Sequence, residues 1–205
     1  MVRMPFARVA MVLRNGRMSG FFPLLEQGVR VACRVGVTLE DLLVNQWGIE
    51  ADYVAQRITT MFLNSRAVDD IARSVVHGGS VVALSGAMPG LVGATMRRGG
   101  FYAAMRGAMT FREEIFGGEQ GGGRVRVKLF NLLLKELGPG FLARGMIMTG
   151  AELSAFLMAG EFVAKDFIAP LTLDSRPLAH GDLAAALAAL GEEELILTVD
   201  FGDTP

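Results

Sequence analysis

One order of hydrophobic patterns runs through the chain twice, and that recurrence limits the fold more than any other feature. Residues 6–14 alternate, with Val9, Met11 and Leu13 on one side and Arg8, Ala10 and Arg14 on the other, the period of a half-buried strand. Asn15-Gly16 supplies a turn, and alternation resumes over residues 29–35 with Cys33 on the apolar side. Thr38, with Asp41 three residues on, opens a predicted helix whose stripe is Leu39, Leu42, Leu43 and Gln46 and which Gly48 closes. A third strand is predicted over residues 58–63, a tight turn at Asn64-Ser65-Arg66, and a short apolar strand over 81–84 behind His77-Gly78-Gly79.

The second half follows the same grammar. Val125-Arg126-Val127-Lys128-Leu129 alternates like the first strand, and Gly145-Met146-Ile147-Met148 stands where Gly28-Val29-Arg30-Val31 stood. Thr149 and Glu152 form a full capping box before a helix carrying Leu153, Phe156 and Leu157. Residues 171–178 answer residues 61–68, and 195–201 supply a closing strand. Thr149 lies 111 residues after Thr38, Asp174 lies 110 after Asn64, and Gly145 lies 117 after Gly28. Nearly constant offsets at a helix cap and a turn point to a duplicated strand-strand-helix-strand-strand unit, an α+β architecture. The predicted division is a first unit at 1–100, a connector at 101–123 and a second unit at 124–205.

Residues 85–123 have no counterpart in this scheme. They combine Met88-Pro89-Gly90-Leu91-Val92-Gly93, a basic Arg97-Arg98-Gly99-Gly100, an ambiguous helix over 101–116, and glycine runs at Gly117-Gly118 and Gly121–Gly123 that read as a linker.

Thr60 through Ala87, with Asn64, Val68, Gly78-Gly79 and Val81 to Leu84 in sequence, resembles the last third of the ubiquitin-like sulfur carriers of molybdopterin and thiamine biosynthesis. The resemblance implies a β-grasp fold, so each unit is expected to be β-grasp-like. Those carriers act through a flexible C-terminal Gly-Gly whose carboxylate is activated. This chain ends Asp203-Thr204-Pro205, and its tail-like Arg97-Arg98-Gly99-Gly100 is followed by 105 more residues. A carrier role would require processing after Gly100, so Gly99 and Gly100 are an alternative processing site.

The 51% hydrophobic and 20% charged composition is that of a folded chain with apolar surface to spare. A net charge of −1 gives no reason to expect nucleic acid, although residues 94–128 hold seven Arg/Lys against three Glu and residues 182–205 hold six acids and no base. The single cysteine excludes a disulfide framework and makes a reducing cytoplasm the expected compartment. The uncharged stretch 74–96 is long enough to cross a bilayer, but five glycines, Pro89 and His77 interrupt it, and no membrane span is expected.

No chemistry-bearing constellation emerges. Cys33 reads as a buried structural thiol, with its arginine neighbours on the other face. His77 and His180 belong to no spaced ligand set, and Asp69-Asp70, Glu113-Glu114 and Glu192 to Glu194 read as solvated acids. Gly117–Gly123 lacks the lysine and helix cap of a phosphate loop. No catalytic residue, metal or cofactor is therefore assigned. Met88, Pro89, Leu91, Val92, Met96, Arg97, Arg98, Met105 and Met109 concentrate adaptable apolar and basic side chains outside both expected cores. They are the candidate partner-binding residues, for another protein or for self-association. The expected function is a non-enzymatic interaction or assembly module; a sulfur-carrier-like or cofactor-assembly protein, and a small-ligand binder or enzyme using the cleft between the two lobes, are the alternatives.

Overall fold

A computed structural model describes residues 6–13, 18–86, 88–111, 120–159, 171–179 and 182–201. The chain is α+β. Its strands are β1 (Ala7–Leu13), β2 (Val29–Val35), β3 (Val37–Thr38), β4 (Thr60–Leu63), β5 (Arg66–Ala67), β6 (Val75–Val76), β7 (Val81–Ser85), β8 (Gly121–Phe130), β9 (Met146–Thr149), β10 (Leu171–Leu173), β11 (Arg176–Leu178) and β12 (Glu194–Phe201). Its α-helices are α1 (Phe22–Gln27), α2 (Ala51–Gln56), α3 (Gly90–Met96), α4 (Leu132–Glu136), α5 (Gly138–Arg144), α6 (Gly150–Ala159) and α7 (Leu183–Leu190). A π-helix spans Asp41–Gln46, and 3-10 helices span Met18–Phe21 and Phe101–Met109.

The chain divides into two compact units, a contiguous one at Leu25–Glu136 and a split one made of Met1–Leu24 and Leu137–Pro205. In the contiguous unit five strands lie in the order β2-β8-β7-β4-β5, with β7 and β8 parallel and every other neighbour antiparallel. Alternation fixes which face is buried. Val29 and Val31, Val125, Val127 and Leu129, Val82 and Leu84, and Met61 and Leu63 are buried, as are Leu39, Leu42, Leu43 and Val54 of the helices. Each such side chain contributes roughly 1.5–3 kcal/mol by leaving water. The Thr38 hydroxyl accepts from the Asp41 N–H at 3.1 Å and starts the π-helix as a cap. Gln46 exchanges hydrogen bonds with the Arg34 main chain, accepting at 2.8 Å and donating at 3.2 Å, and so ties that helix to β2.

The split unit has the order β11-β10-β1-β12-β9, with β1 and β12 parallel and the remaining neighbours antiparallel. Val9, Met11 and Leu13 face the core with Leu195, Leu197 and Val199. The capping box is complete: the Glu152 N–H donates to the Thr149 hydroxyl at 3.0 Å and the Thr149 N–H to the Glu152 carboxylate at 2.8 Å.

The five strands of one unit correspond register for register to those of the other. Val81 faces Arg126 across one parallel pair, and Arg8 faces Ile196 across the other. Leu63 faces Val82 as Leu173 faces Val9, and Val29 faces Val127 as Met146 faces Leu197. The turns match as well, Asn64 and Ser65 having φ of 51° and 67°, Asp174 and Ser175 of 49° and 66°. Asn64 clamps the head of β7, its N–H donating to the Val81 carbonyl at 2.9 Å and its side-chain oxygen accepting from the Val81 N–H at 2.8 Å. Asp174 clamps the head of β1 in the same way through Arg8, with both bonds at 2.8 Å. Gly28 and Gly145, which lead into β2 and β9, share a φ of +104°, a conformation that a side chain would strain.

Connectivity departs from the sequence reading. Expected to open the first unit beside residues 29–35, β1 pairs with β10 and β12 and takes the place that β7 holds in the contiguous unit. Residues 125–129, expected to open the second unit, lie in β8 and pair with β2 and β7. The compact units therefore meet at 24/25 and 136/137 and not at 100 and 124. The physical reason is that alternation specifies which face a strand buries, whereas both β1 and β8 suit any two-neighbour position. Gly121–Gly123, read as linker, is the start of β8 opposite Cys33, Arg34 and Val35; a Cβ on Gly123 would lie 2.9 Å from the Val35 methyls. Gly117 and Gly118 lie outside the described residues.

Candidate interaction surface

The unduplicated segment folds onto the contiguous unit and is fastened to it at several points. Pro89 is extended and Gly90 opens α3. Gly93 is buried where a Cβ would come within 1.7 Å of the Met88 carbonyl oxygen, so α3 lies against Met88 as only glycine permits. After α3 the Arg98 N–H donates to the Thr59 carbonyl at 2.8 Å, and its guanidinium donates to the Val54 carbonyl at 3.1 Å and meets the Met61 sulfur at 3.7 Å. Burial lowers the pKa of Arg98, and the Asp69 charge opposes that shift.

Arg106, in the middle of the second 3-10 helix, has no exposed side-chain surface. It donates to Asp69 at 2.7 Å and to the Arg97 carbonyl at 3.3 Å, leaving Nε and Nη1 without a hydrogen-bond partner. Asp69 also accepts from the Gly99 N–H at 3.2 Å. Past the helix, Thr110 bridges to Ala67 and the Phe111 N–H donates to the Ala67 carbonyl at 2.7 Å. Expected to be a solvated acid, Asp69 is thus the anchor of the segment. Sequence offers no sign of this, because its partner lies 37 residues away.

With Arg98 and Arg106 turned inward, the segment turns its apolar side chains outward. Eight large hydrophobic side chains are exposed among the described residues, and six of them, Leu91, Val92, Phe101, Tyr102, Met105 and Met109, belong to it. Phe101 is 92% exposed, and Leu91 and Met105 are each 70% exposed. The Phe101 and Tyr102 rings meet edge to face at 5.2 Å. Of the sequence-nominated residues, Leu91, Val92, Met105, Met109, Pro89 and Arg97 are exposed, whereas Met88, Met96 and Arg98 are half-buried. Phe101 and Tyr102 were missed; their aromatic character beside methionine was the available signal. Gly99 and Gly100 form the hydrogen-bonded turn between α3 and the 3-10 helix, Gly99 at φ +61°.

A groove of about 530 Å³ opens on the outer face of the same unit's sheet. Phe62, Val81, Ala83 and Phe130 of the sheet and Met88 and Pro89 of the segment wall it. Lys128, Ser65, Ser85 and Asn131 supply its polar atoms, and the Asn131 amide donates to the Ser85 hydroxyl at 3.0 Å.

The remaining candidates do not converge. Cys33 is half-buried on the inward side of β2, and burial pushes its thiol pKa up, away from a reactive thiolate. His77 is half-buried in the turn before β7, its N–H donating to the Ser80 hydroxyl at 3.1 Å; His180, Glu113 and Glu114 lie outside the described residues. Asp70 caps the turn that follows it, accepting from the Ala72 and Arg73 N–H groups. Among the described residues no group of three or more His, Cys, Asp or Glu is gathered as a metal ion would need, and no helix is long and apolar enough to cross a membrane. Comparison of the chain with protein-family models, curated proteins and solved structures returns no match to any of them.

Proposed function

We infer that this chain is a non-enzymatic interaction module, built on two β-grasp-like units, that docks a protein through the exposed apolar face of residues 91–109. The observation that carries the reading is the concentration there of six of the eight large hydrophobic side chains exposed among the described residues, on a segment held by a buried arginine. A concentration of exposed apolar side chains on an anchored segment supports a docking role. Its aromatic, methionine and arginine composition is that of interface hot spots. A membrane surface suits it less well, since peripheral anchoring draws on several exposed cations, whereas Arg98 and Arg106 are turned inward and Arg97 alone of the three is exposed. The β-grasp-like reading rests on the register shared by the five strands of each unit and on a capped helix that follows β2 in one and β9 in the other.

The occupant to test first is a second copy of the chain. Sedimentation velocity over a concentration series should show reversible association of the parent protein and a monomer for the Leu91→Asp/Met105→Asp double variant with unchanged circular dichroism. Parent protein that stays monomeric throughout excludes self-docking through this face. Equal association by parent and variant places the contact elsewhere.

A further inference from the structure

The two units share a register, so each position in one names its equivalent in the other, and what the fold requires separates from what only one unit carries. At the core positions hydrophobicity is kept: Val82 answers to Val9, Leu84 to Met11, Val127 to Leu197 and Leu129 to Val199. On the outer face it is not. Phe62 answers to Thr172, Lys128 to Thr198, Phe130 to Asp200 and Ser85 to Val12, while Ala83 answers to Ala10. Five strands in this register therefore pair without an aromatic pair and a lysine on that face. The contiguous unit has them, and they surround the groove.

We propose that this groove is a binding site for a small amphipathic monoanion, a flat or branched apolar body ending in a carboxylate or sulfonate, with Lys128 as its counter-ion. The lining residues carry one formal charge, that of Lys128, and no acid. Lys128 has no ion-pair partner among the described residues. Its position is prepared by the backbone: a Cβ on Gly28 would lie 2.9 Å from the Cγ atoms of both Lys128 and Arg126, so the absent side chain leaves room for both stems. The Arg126 guanidinium is occupied by the Gly28 carbonyl at 3.2 Å, and among these two cations Lys128 is the one left for a ligand. Ala83, paired with Phe62 on one side and Lys128 on the other, is the small residue that leaves the floor open; Phe130 pairs with Ser85 further along, and Met88 with Pro89 closes one side. A volume of about 530 Å³ lies in the usual range of small-molecule sites, which pair apolar walls with a few placed polar groups. This inference stands on residues other than those of the docking face and does not depend on it.

The test uses the full chain and two fluorescent probes of similar shape, the anion 1-anilinonaphthalene-8-sulfonate and the neutral N-phenyl-1-naphthylamine, with 4-phenylbutyrate as a non-fluorescent competitor. The parent protein is expected to bind both probes saturably and to release them to 4-phenylbutyrate. Lys128→Met should weaken the anionic probe about tenfold, the size of one charge-assisted contact, and change the neutral probe by less than about twofold. Ala83→Phe should fill the floor and remove both, and Leu91→Asp/Met105→Asp should keep both. Anionic binding that Lys128→Met leaves unchanged overturns the proposal, as does binding lost with the docking-face variant or no saturable binding to the parent. If Ala83→Phe does not fold, the split between the two probes in Lys128→Met decides alone.

Discussion

Replacing Asp69 by asparagine should damage the protein more than removing the arginine it binds. Arg106 is wholly buried, with two of its donors already unbonded, while the Asp69 side chain keeps 38% of its surface in water. Asp69→Asn leaves a buried guanidinium without its counter-charge, and removing one partner of a buried pair costs about 3–5 kcal/mol. Solvent at the Asp69 end screens the pair, which brings the expected loss to about 2–3 kcal/mol. Arg106→Met removes the charge together with the unbonded donors and keeps most of the packed volume. The orphaned Asp69 stays hydrated and still accepts from Gly99, so the expected loss is under about 1 kcal/mol. Urea unfolding followed by Trp47 reads the difference, since that buried side chain is the single tryptophan and lies in the same unit. At about 1–3 kcal/mol per molar urea, Asp69→Asn should lower the midpoint by roughly 0.7–3 M. An Arg106→Met variant as unstable as Asp69→Asn, or more so, would refute the reasoning.

Gly28→Ala and Gly145→Ala both place a side chain at φ +104°, but the new Cβ meets flexible Arg126 and Lys128 stems in the first case and the β-branched Ile196 methyl at 2.9 Å in the second. Each should cost about 1–3 kcal/mol, with Gly145→Ala the worse by calorimetry; the reverse order would contradict the shared-register account. Hydrogen bonds from the Tyr53 hydroxyl and the Arg57 guanidinium hold the Glu136 carboxyl below the usual carboxylate range. A pKa lower in the folded than in the unfolded chain contributes stability above the unfolded value, lost as pH falls through the folded one. Glu136→Gln should therefore flatten the acid limb of the stability profile below about pH 4. Parallel parent and variant curves down to about pH 3 would count against it.

What could be read from the sequence is what short-range chemistry fixes. Thr38 and Thr149 cap as their spacing to Asp41 and Glu152 demands, and Asn64 and Asp174 turn the chain with the same dihedral angles. Long-range choices were not readable. Nothing local tells β1 to run beside β12 instead of β2, because Val9, Met11 and Leu13 would bury as well in either place. Helix α7 (Leu183–Leu190) went unforeseen, as Leu and Ala in unbroken succession show no clear stripe. At the docking face, the apolar content of residues 91–109 was legible, but its exposure depends on Asp69, which composition assigns to solvent. The groove was invisible for a related reason: Phe62, Ala83 and Lys128 come from three strands and meet only through the sheet.

The parallel pairing of β1 with β12 also sets a timetable. Ala7 is aligned with Leu195, 188 residues later, and at a synthesis rate of about 5–20 residues per second the first strand waits roughly 10–40 s for its neighbour. During that interval the run Leu25–Glu136 has everything its own sheet requires and is free to fold. The strand carrying Val9, Met11 and Leu13 meanwhile remains an apolar edge with no partner, which is the state chaperones recognise and aggregation exploits. On the ribosome the run Leu25–Glu136 can thus close before β1, made ahead of it, is paired with β12.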